Sequence, residues 1–306
     1  MYKSLDELVA AAVSEGPAGI AVACGQDPDV LQALKQAQSM GLAQGILVGD
    51  LSRMEPMVEK VGLELAPDQV IHEPDQARAA RRAIGLIREG RASLLMKGKI
   101  NTSTLVRAVL DRENGLRTGR LLSQVIVFQV PGIQRLMVMT DAAINVAPNL
   151  AQKAEICRNA IEVAHAIGVS KPNLAVLCAL EFVNPEMPAT LDAAGLTLMN
   201  RRGQISGAYI EGPIALDSPL SRFAAERKGI DSPLVGATDI FLAPDIEAAN
   251  ILYRAILYFA QGESGGIVLG ARVPLILLSR AETPETKIRS IALAVLVGKA
   301  AGGAAG

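Results

Sequence analysis

Two stretches of the chain carry residue types suited to an anionic substrate. Near its end, the apolar runs Gly265-Gly266-Ile267-Val268-Leu269-Gly270 and Val273-Pro274-Leu275-Ile276-Leu277-Leu278 lead into Ser279 and Arg280. A guanidinium can hold phosphate oxygens through two parallel charge-assisted hydrogen bonds, and a hydroxyl beside it can hydrogen-bond a reacting atom. Earlier, Leu94-Leu95-Met96 runs into Lys97-Gly98-Lys99, and Thr102 and Ser103 then open a helical pattern. Two cations beside the free N–H groups and positive dipole end of a helix favour phosphate or carboxylate. The glycine spacing of a Walker A loop is absent. Each stretch also has a plain reading: Ser279, Thr102 or Ser103 as helix caps, with Arg280 and the lysines solvated.

Three further polar segments follow apolar runs. In Met139 to Pro148, Asp141 and Asn145 either face a cleft or cap a loop. Glu181 to Pro188 is a polar loop with two prolines, and in Ala243 to Asn250 the acidic Asp245 and Glu247 suit a helix N-terminus, with Asn250 one turn on. Asp245 reads as a cap.

The elements that must position these residues alternate along most of the chain. Gly19 to Cys24 reads as a strand, followed by Asp27 as a cap, Pro28 at the first helical position and an amphipathic stretch to Met40. The same rhythm continues through strands at 45–48, 70–72 and 93–96 and helices at 52–61, 75–89 and 102–111. Strands at 121–130 and 135–139 around Pro131-Gly132 read as an antiparallel hairpin. Alternation then resumes, with helices at 150–167, 190–200, 219–228 and 246–260, strands at 174–180, 207–210 and 239–242, and a terminal strand and helix. Such βαβα order predicts an α/β chain with mostly parallel sheets covered on both faces. A length of 306 residues suits two domains, with the hairpin as boundary: 1–137 plus 271–306, and 138–270.

Composition narrows the function. The formal charge of -1 gives no electrostatic case for nucleic acid or an anionic membrane, and no apolar stretch reaches membrane-spanning length. Asp6 and Glu7, without a long apolar core, argue against a secretory signal. Three cysteines make no disulfide framework and point to a reducing cytoplasm; Cys157 and Cys178 read as core and Cys24 as a buried strand end. His72 and His165 are the only histidines, so neither a zinc site nor a Ser-His-Asp mechanism is expected, and no metal of any kind.

Taken in order, LLMKGKINTS, GLRTGRLLS, MTDAAINVAPNL, LEFVNPEMPATLDA, GAYIEGPIALD, TDIFLAPDIEAANIL and GGIVLGARVPLILLSRAETPETKIRSIALA resemble the phosphate acetyl/butyryltransferase family over almost the whole chain. The Met-Lys-Gly and Gly-Leu-Arg-Thr-Gly segments look more like the butyryl branch. The resemblance implies two doubly wound α/β domains flanking a cleft, as in isocitrate and isopropylmalate dehydrogenases. It places the active site in that cleft, in a homodimer. It also implies acyl transfer between coenzyme A, as substrate, and inorganic phosphate. The family's Ser-Arg pair falls on Ser279 and Arg280 as catalytic residues. Lys97, Lys99, Thr102, Ser103, Asp141, Asn145 and Asn250 are the candidates for substrate binding. Two positions depart from the family pattern: Gln124 stands where His is common, and Thr286 where some relatives have a carboxylate. The base for the CoA thiol is therefore unassigned. Alternatives are a phosphate acetyltransferase, a non-catalytic CoA or acyl-phosphate sensor, and a nicotinamide-dependent dehydrogenase, which would need an aspartate metal cluster the sequence lacks.

Overall fold

The computed structural model describes residues 2–279 and 282–303. The elements run α1 (Leu5–Ser14), β1 (Ala18–Ala23), α2 (Pro28–Ser39), β2 (Ala43–Gly49), α3 (Leu51–Val61), β3 (Val70–His72), α4 (Gln76–Arg88), β4 (Leu94–Lys97), α5 (Thr102–Val109), β5 (Ser123–Gln129), β6 (Met137–Thr140) and α6 (Leu150–Ala166). They continue with β7 (Asn173–Leu177), α7 (Pro188–Arg201), β8 (Tyr209–Ile214), α8 (Asp217–Leu220), α9 (Arg222–Arg227), β9 (Ile240–Leu242), α10 (Ile246–Tyr258), β10 (Glu263–Leu269), β11 (Leu275–Ile276) and α11 (Pro284–Gly303). The alternation expected from sequence is the architecture: the chain has an α/β fold.

Contacts divide the chain into two units. The first comprises Leu5–Arg120 and Gly265–Gly306, the second Met1–Ser4 and Leu121–Ser264. The division falls after Arg120 and Ser264, ahead of the sequence-based bounds at 137 and 270. The hairpin expected at the boundary stays whole in the second unit, because β5 pairs with β6 from Val125–Thr140 to Phe128–Met137 and both strands pack on that unit's core.

In the first unit the strands lie in the order β3-β2-β1-β4-β11-β10. β1, β2, β3, β4 and β11 are parallel neighbours, and β10 runs antiparallel to β11. α1 and α2 each pack on α11, whereas α4 packs on α5 and over β1, β2 and β4. Local signals explain the helices. Asp27 caps α2 by accepting the N–H groups of Asp29 and Val30, ahead of Pro28 at the first turn. Asp50 caps α3, which ends at Gly62 with φ 68°, the left-handed conformation that closes a helix at little steric cost. α1 lies where no element was expected; Leu5, Leu8, Val9 and Ala12 give it one buried stripe.

In the second unit the order is β5-β6-β9-β7-β8. Side chains alternate between the two faces. Ile126, Phe128, Met139, Ala175, Leu177 and Phe241 meet Ala249 and Tyr253 of α10 on one face. On the other, Val176 lies close to Ala193 of α7, both within reach of Gly212 in β8. The helix expected at 219–228 is two helices, since Ser221 leaves helical geometry and caps α9 through Ala224 N–H at 3.2 Å.

Candidate active site

The sequence candidates gather in two clusters, each at the carboxyl end of a sheet. In the first unit Ala23 pairs with Lys97 and Met96 with Ile276, so β1, β4 and β11 end side by side. The run expected to deliver Ser279 as one strand is instead β10 turning back into the two-residue β11, and Ser279 lies beyond that strand's end. It is exposed, and its carbonyl accepts Glu282 N–H at 3.2 Å. Arg280 lies outside the described residues.

Lys97 is half-buried at the tip of β4, with Nζ 3.4 Å from the Gly98 carbonyl. Gly98 lets the backbone turn against β1: a Cβ there would lie 2.1 Å from the Cys24 carbonyl oxygen. Cys24 itself has φ 60°, turning the chain out of β1, and burial followed by the Asp75 charge pushes its thiol up to about 11. Lys99 is exposed; its carbonyl accepts from Gln76 Nε2 at 3.3 Å. Thr102 and Ser103 are exposed first-turn residues of α5 and not its caps, because Asn101 occupies the cap position and makes no side-chain capping bond. The capping reading of this segment fails, and the amino end of α5 keeps its affinity for negative charge. The loops leaving β1 and β4 feed helices on opposite faces, α2 with α11 and α5 with α4, which makes this a topological switch point, where open α/β sheets build ligand sites.

In the second unit, Asp141, Asn145 and Asn250 come together at the carboxyl end of β6. Asp141 is 4% exposed. Its carboxylate accepts the N–H groups of Ala143, Ile144 and Asn145, each at 3.1 Å, and Asn145 Nδ2 at 2.6 Å. Burial pushes its pKa up, and these hydrogen bonds oppose the rise. Asn145 Nδ2 also reaches the Leu122 carbonyl at 2.8 Å, and Asn250 Nδ2 the Ala142 carbonyl at 3.1 Å. The capped-loop reading of Asp141 holds.

Neither departure from the family pattern supplies a base. Gln124 is buried on β5, and Thr286 is buried in α11, its carbonyl accepting Ser290 Oγ at 2.7 Å. His72 Nδ1 accepts Leu51 N–H and His165 Nε2 meets the Gly207 carbonyl, so both imidazoles serve local structure. Among the described residues no His, Cys, Asp and Glu group is arranged to hold a metal.

One feature escaped sequence reasoning. Cys178, expected in the core, is only half-buried, because β7 ends at Leu177. Its thiol lines a cavity with Met187 and Pro188 at the start of α7 and Asp245 and Ala248 at the start of α10. Burial pushes it up to about 11, with Lys153 lowering and Asp192 raising it. Lys153, itself buried, holds Asp192 Oδ2 at 2.7 Å. Only the short strand could have signalled this: the run from Leu174 to Leu180 is too long for the observed β7.

Comparison with known proteins decides the family. The model of the phosphate acetyl/butaryl transferase family matches residues 69–295. The chain belongs to that family. It is 43% identical over 297 residues to a phosphate butyryltransferase from Clostridium acetobutylicum, covering 97% of this chain and 99% of the relative. It is 39% identical over 292 residues to a phosphate acetyltransferase from Thermotoga maritima, covering 95% of this chain and 99% of that one. Among solved structures, a branched-chain phosphotransacylase from Enterococcus faecalis V583 superposes with a TM-score of 0.81 at 31% identity, covering 92% of this chain and 99% of the other. Both sequence clusters, at 97–103 and at 141–145 with Asn250, fall inside the family match.

Proposed function

We propose that the protein transfers a short-chain acyl group between coenzyme A and inorganic phosphate, converting butyryl-CoA and phosphate to butyryl phosphate and CoA within one ternary complex. What supports this is that Lys97, Lys99 and the amino end of α5 follow β4 while Ser279 follows its neighbour β11, in a chain whose family is that of phosphate acyltransferases.

In this reading Lys97, Lys99, Thr102 and Ser103 hold the anionic groups of phosphate and CoA, and Arg280 grips the attacking phosphate. A phosphate oxygen adds to the thioester carbonyl, the C–O bond forms, and the C–S bond breaks as the electron pair leaves on sulfur. Ionised phosphate attacks without shedding a proton, so this direction needs no histidine base. A thiolate is a basic leaving group, free cysteine having a pKa of about 8.5, so the leaving sulfur benefits from a nearby hydroxyl, and Ser279 supplies it. Orientation and fixed charge do most of the work, which suits a site without a covalent nucleophile. Asp141 spends its carboxylate on the loop 141–145 and thereby places Asn145, with Asn250 fixed to the same loop. A cytoplasmic homodimer, with the two-domain plan of isocitrate and isopropylmalate dehydrogenases, completes the reading.

Purified protein mixed with butyryl-CoA should release free thiol only when phosphate is present. Absence of release with acetyl-, butyryl- and branched acyl-CoA would overturn the reading.

A further inference from the structure

The second unit contains a switch point of its own. The loop after β7 leads to α7 on one face of the sheet, and the loop after β9 leads to α10 on the other. Between them lies the cavity of about 490 Å³ beside Cys178. Its walls are mostly apolar. Asp245 is the one charged residue, and its Oδ1 already accepts Ala248 N–H at 2.8 Å. Behind it is a second cavity of about 210 Å³, lined only by hydrophobic side chains from β5, β6, β9, α8 and α10 and their flanking loops. Leu216 and Leu252 line both cavities and so stand as the partition between them.

We propose that the outer cavity seats the acyl chain of the thioester and that Leu216 and Leu252 are the wall that sets its length. The proposal rests on the acyl-CoA reading above. Phosphate and the nucleotide of CoA carry negative charge and would gain nothing from these walls, whereas the acyl chain is the wholly apolar part of the substrates. The volume and apolar lining are those of a small-molecule pocket, and the position is where open α/β sheets bind ligands. Shortening either leucine would join the two cavities and admit a longer chain. Enlarging Ala248 would fill the outer one.

The test is kcat/KM for acetyl-, butyryl- and hexanoyl-CoA with the wild type, Leu252→Ala, Leu216→Ala and Ala248→Leu. One methylene in an apolar pocket changes discrimination by about tenfold or more. The hexanoyl-to-butyryl ratio should therefore rise by about tenfold in either leucine variant, and the butyryl-to-acetyl ratio should fall by about tenfold in Ala248→Leu. A second readout needs no turnover: butyryl-CoA should slow alkylation of Cys178 in the wild type, followed by peptide mass spectrometry at alkaline pH, more than desulfo-CoA, which has no thiol to consume the reagent, does. If the wild type turns over no acyl-CoA, the activity reading falls. If it turns over normally while the ratios stay within about twofold and butyryl-CoA protects Cys178 no better than desulfo-CoA, the pocket assignment alone falls. An adenine ring seated in the cavity would also overturn it: KM would then shift equally for every acyl-CoA and for free CoA, with no change in the ratios. Should the variants fail to fold, Cys178 protection in the wild type decides.

Discussion

The carbonyl oxygen of Cys24 accepts the N–H of Lys99 at 2.8 Å, locking the loop that leaves β4 onto the end of β1. The bond is possible because Gly98, between the two candidate lysines, has no side chain to keep the backbones apart.

Gly98→Ala would put a Cβ 2.1 Å from that carbonyl, a contact the backbone must move to relieve. Overpacking of this kind costs about 1–3 kcal/mol, or a few degrees of melting temperature in a domain this size. The displaced loop carries Lys97 and Lys99, so the KM for phosphate or CoA should rise as well. Thermal unfolding and steady-state kinetics check the two effects separately.

Arg280→Ala should lower kcat/KM for phosphate by ten- to a hundredfold, since a hydrogen bond to a charged group is worth about 1.5–3 kcal/mol. Ser279→Ala should lower kcat more than it raises the phosphate KM, because its hydroxyl serves the leaving sulfur. Full activity in Arg280→Ala with unchanged phosphate dependence would remove that residue from the site.

Lys153 and Asp192 form an ion pair whose side chains are 6% and 27% exposed. Asp192→Ala leaves a buried ammonium without its partner, which costs about 3–5 kcal/mol. The Arg78–Glu73 pair is 61% and 22% exposed, and Glu73→Ala should cost no more than about 1 kcal/mol. Urea unfolding of the two variants should therefore differ clearly in midpoint.

Lys228 holds Glu181 at 2.7 Å and Asp217 at 2.6 Å, pinning the loop after β7 to the start of α8. Burial pushes the Glu181 carboxyl up from its ordinary 4.5, but hydrogen bonds from Lys228 and Ser218 and the Lys228 charge outweigh it, and the net shift is down. The hydrogen bond from Lys228 lowers Asp217 from 3.8, and both carboxylates raise Lys228 from 10.5. Lowered carboxylates stabilise the fold above their ordinary values, and the gain is lost as pH falls through the shifted ones. A raised lysine stabilises below its ordinary value, and that gain is lost as pH rises through the shifted one. Lys228→Met should therefore lower the melting temperature most near neutrality, and hardly at all at a pH well below 3.8.

Much of this was legible in local sequence. The Asp27-Pro28 helix start, the β5–β6 hairpin and the Lys-Gly-Lys strand end each depend on residues adjacent in the chain, and each is found. Errors came where one pattern fits two structures. An apolar run from 265 to 278 reads as one strand, but it is two antiparallel ones around Gly270, whose φ is 100°. The helix at 219–228 is broken by Ser221, a residue as good at capping as at being solvated. The cavity beside Cys178 could not be read at all. Its walls come from segments around 177, 187, 216 and 245, and no spacing rule brings those together.

Acyl phosphate is the product that distinguishes transfer to phosphate from simple thioester hydrolysis. Butyryl-CoA and phosphate are incubated with the protein, free thiol is followed, and acyl phosphate is trapped with hydroxylamine once the remaining thioester, which hydroxylamine also cleaves, has been removed. One butyryl hydroxamate should be trapped for each thiol released, and both should be lost when phosphate is left out. Thiol release without trapped acyl phosphate, or no release at all, would contradict transfer to phosphate.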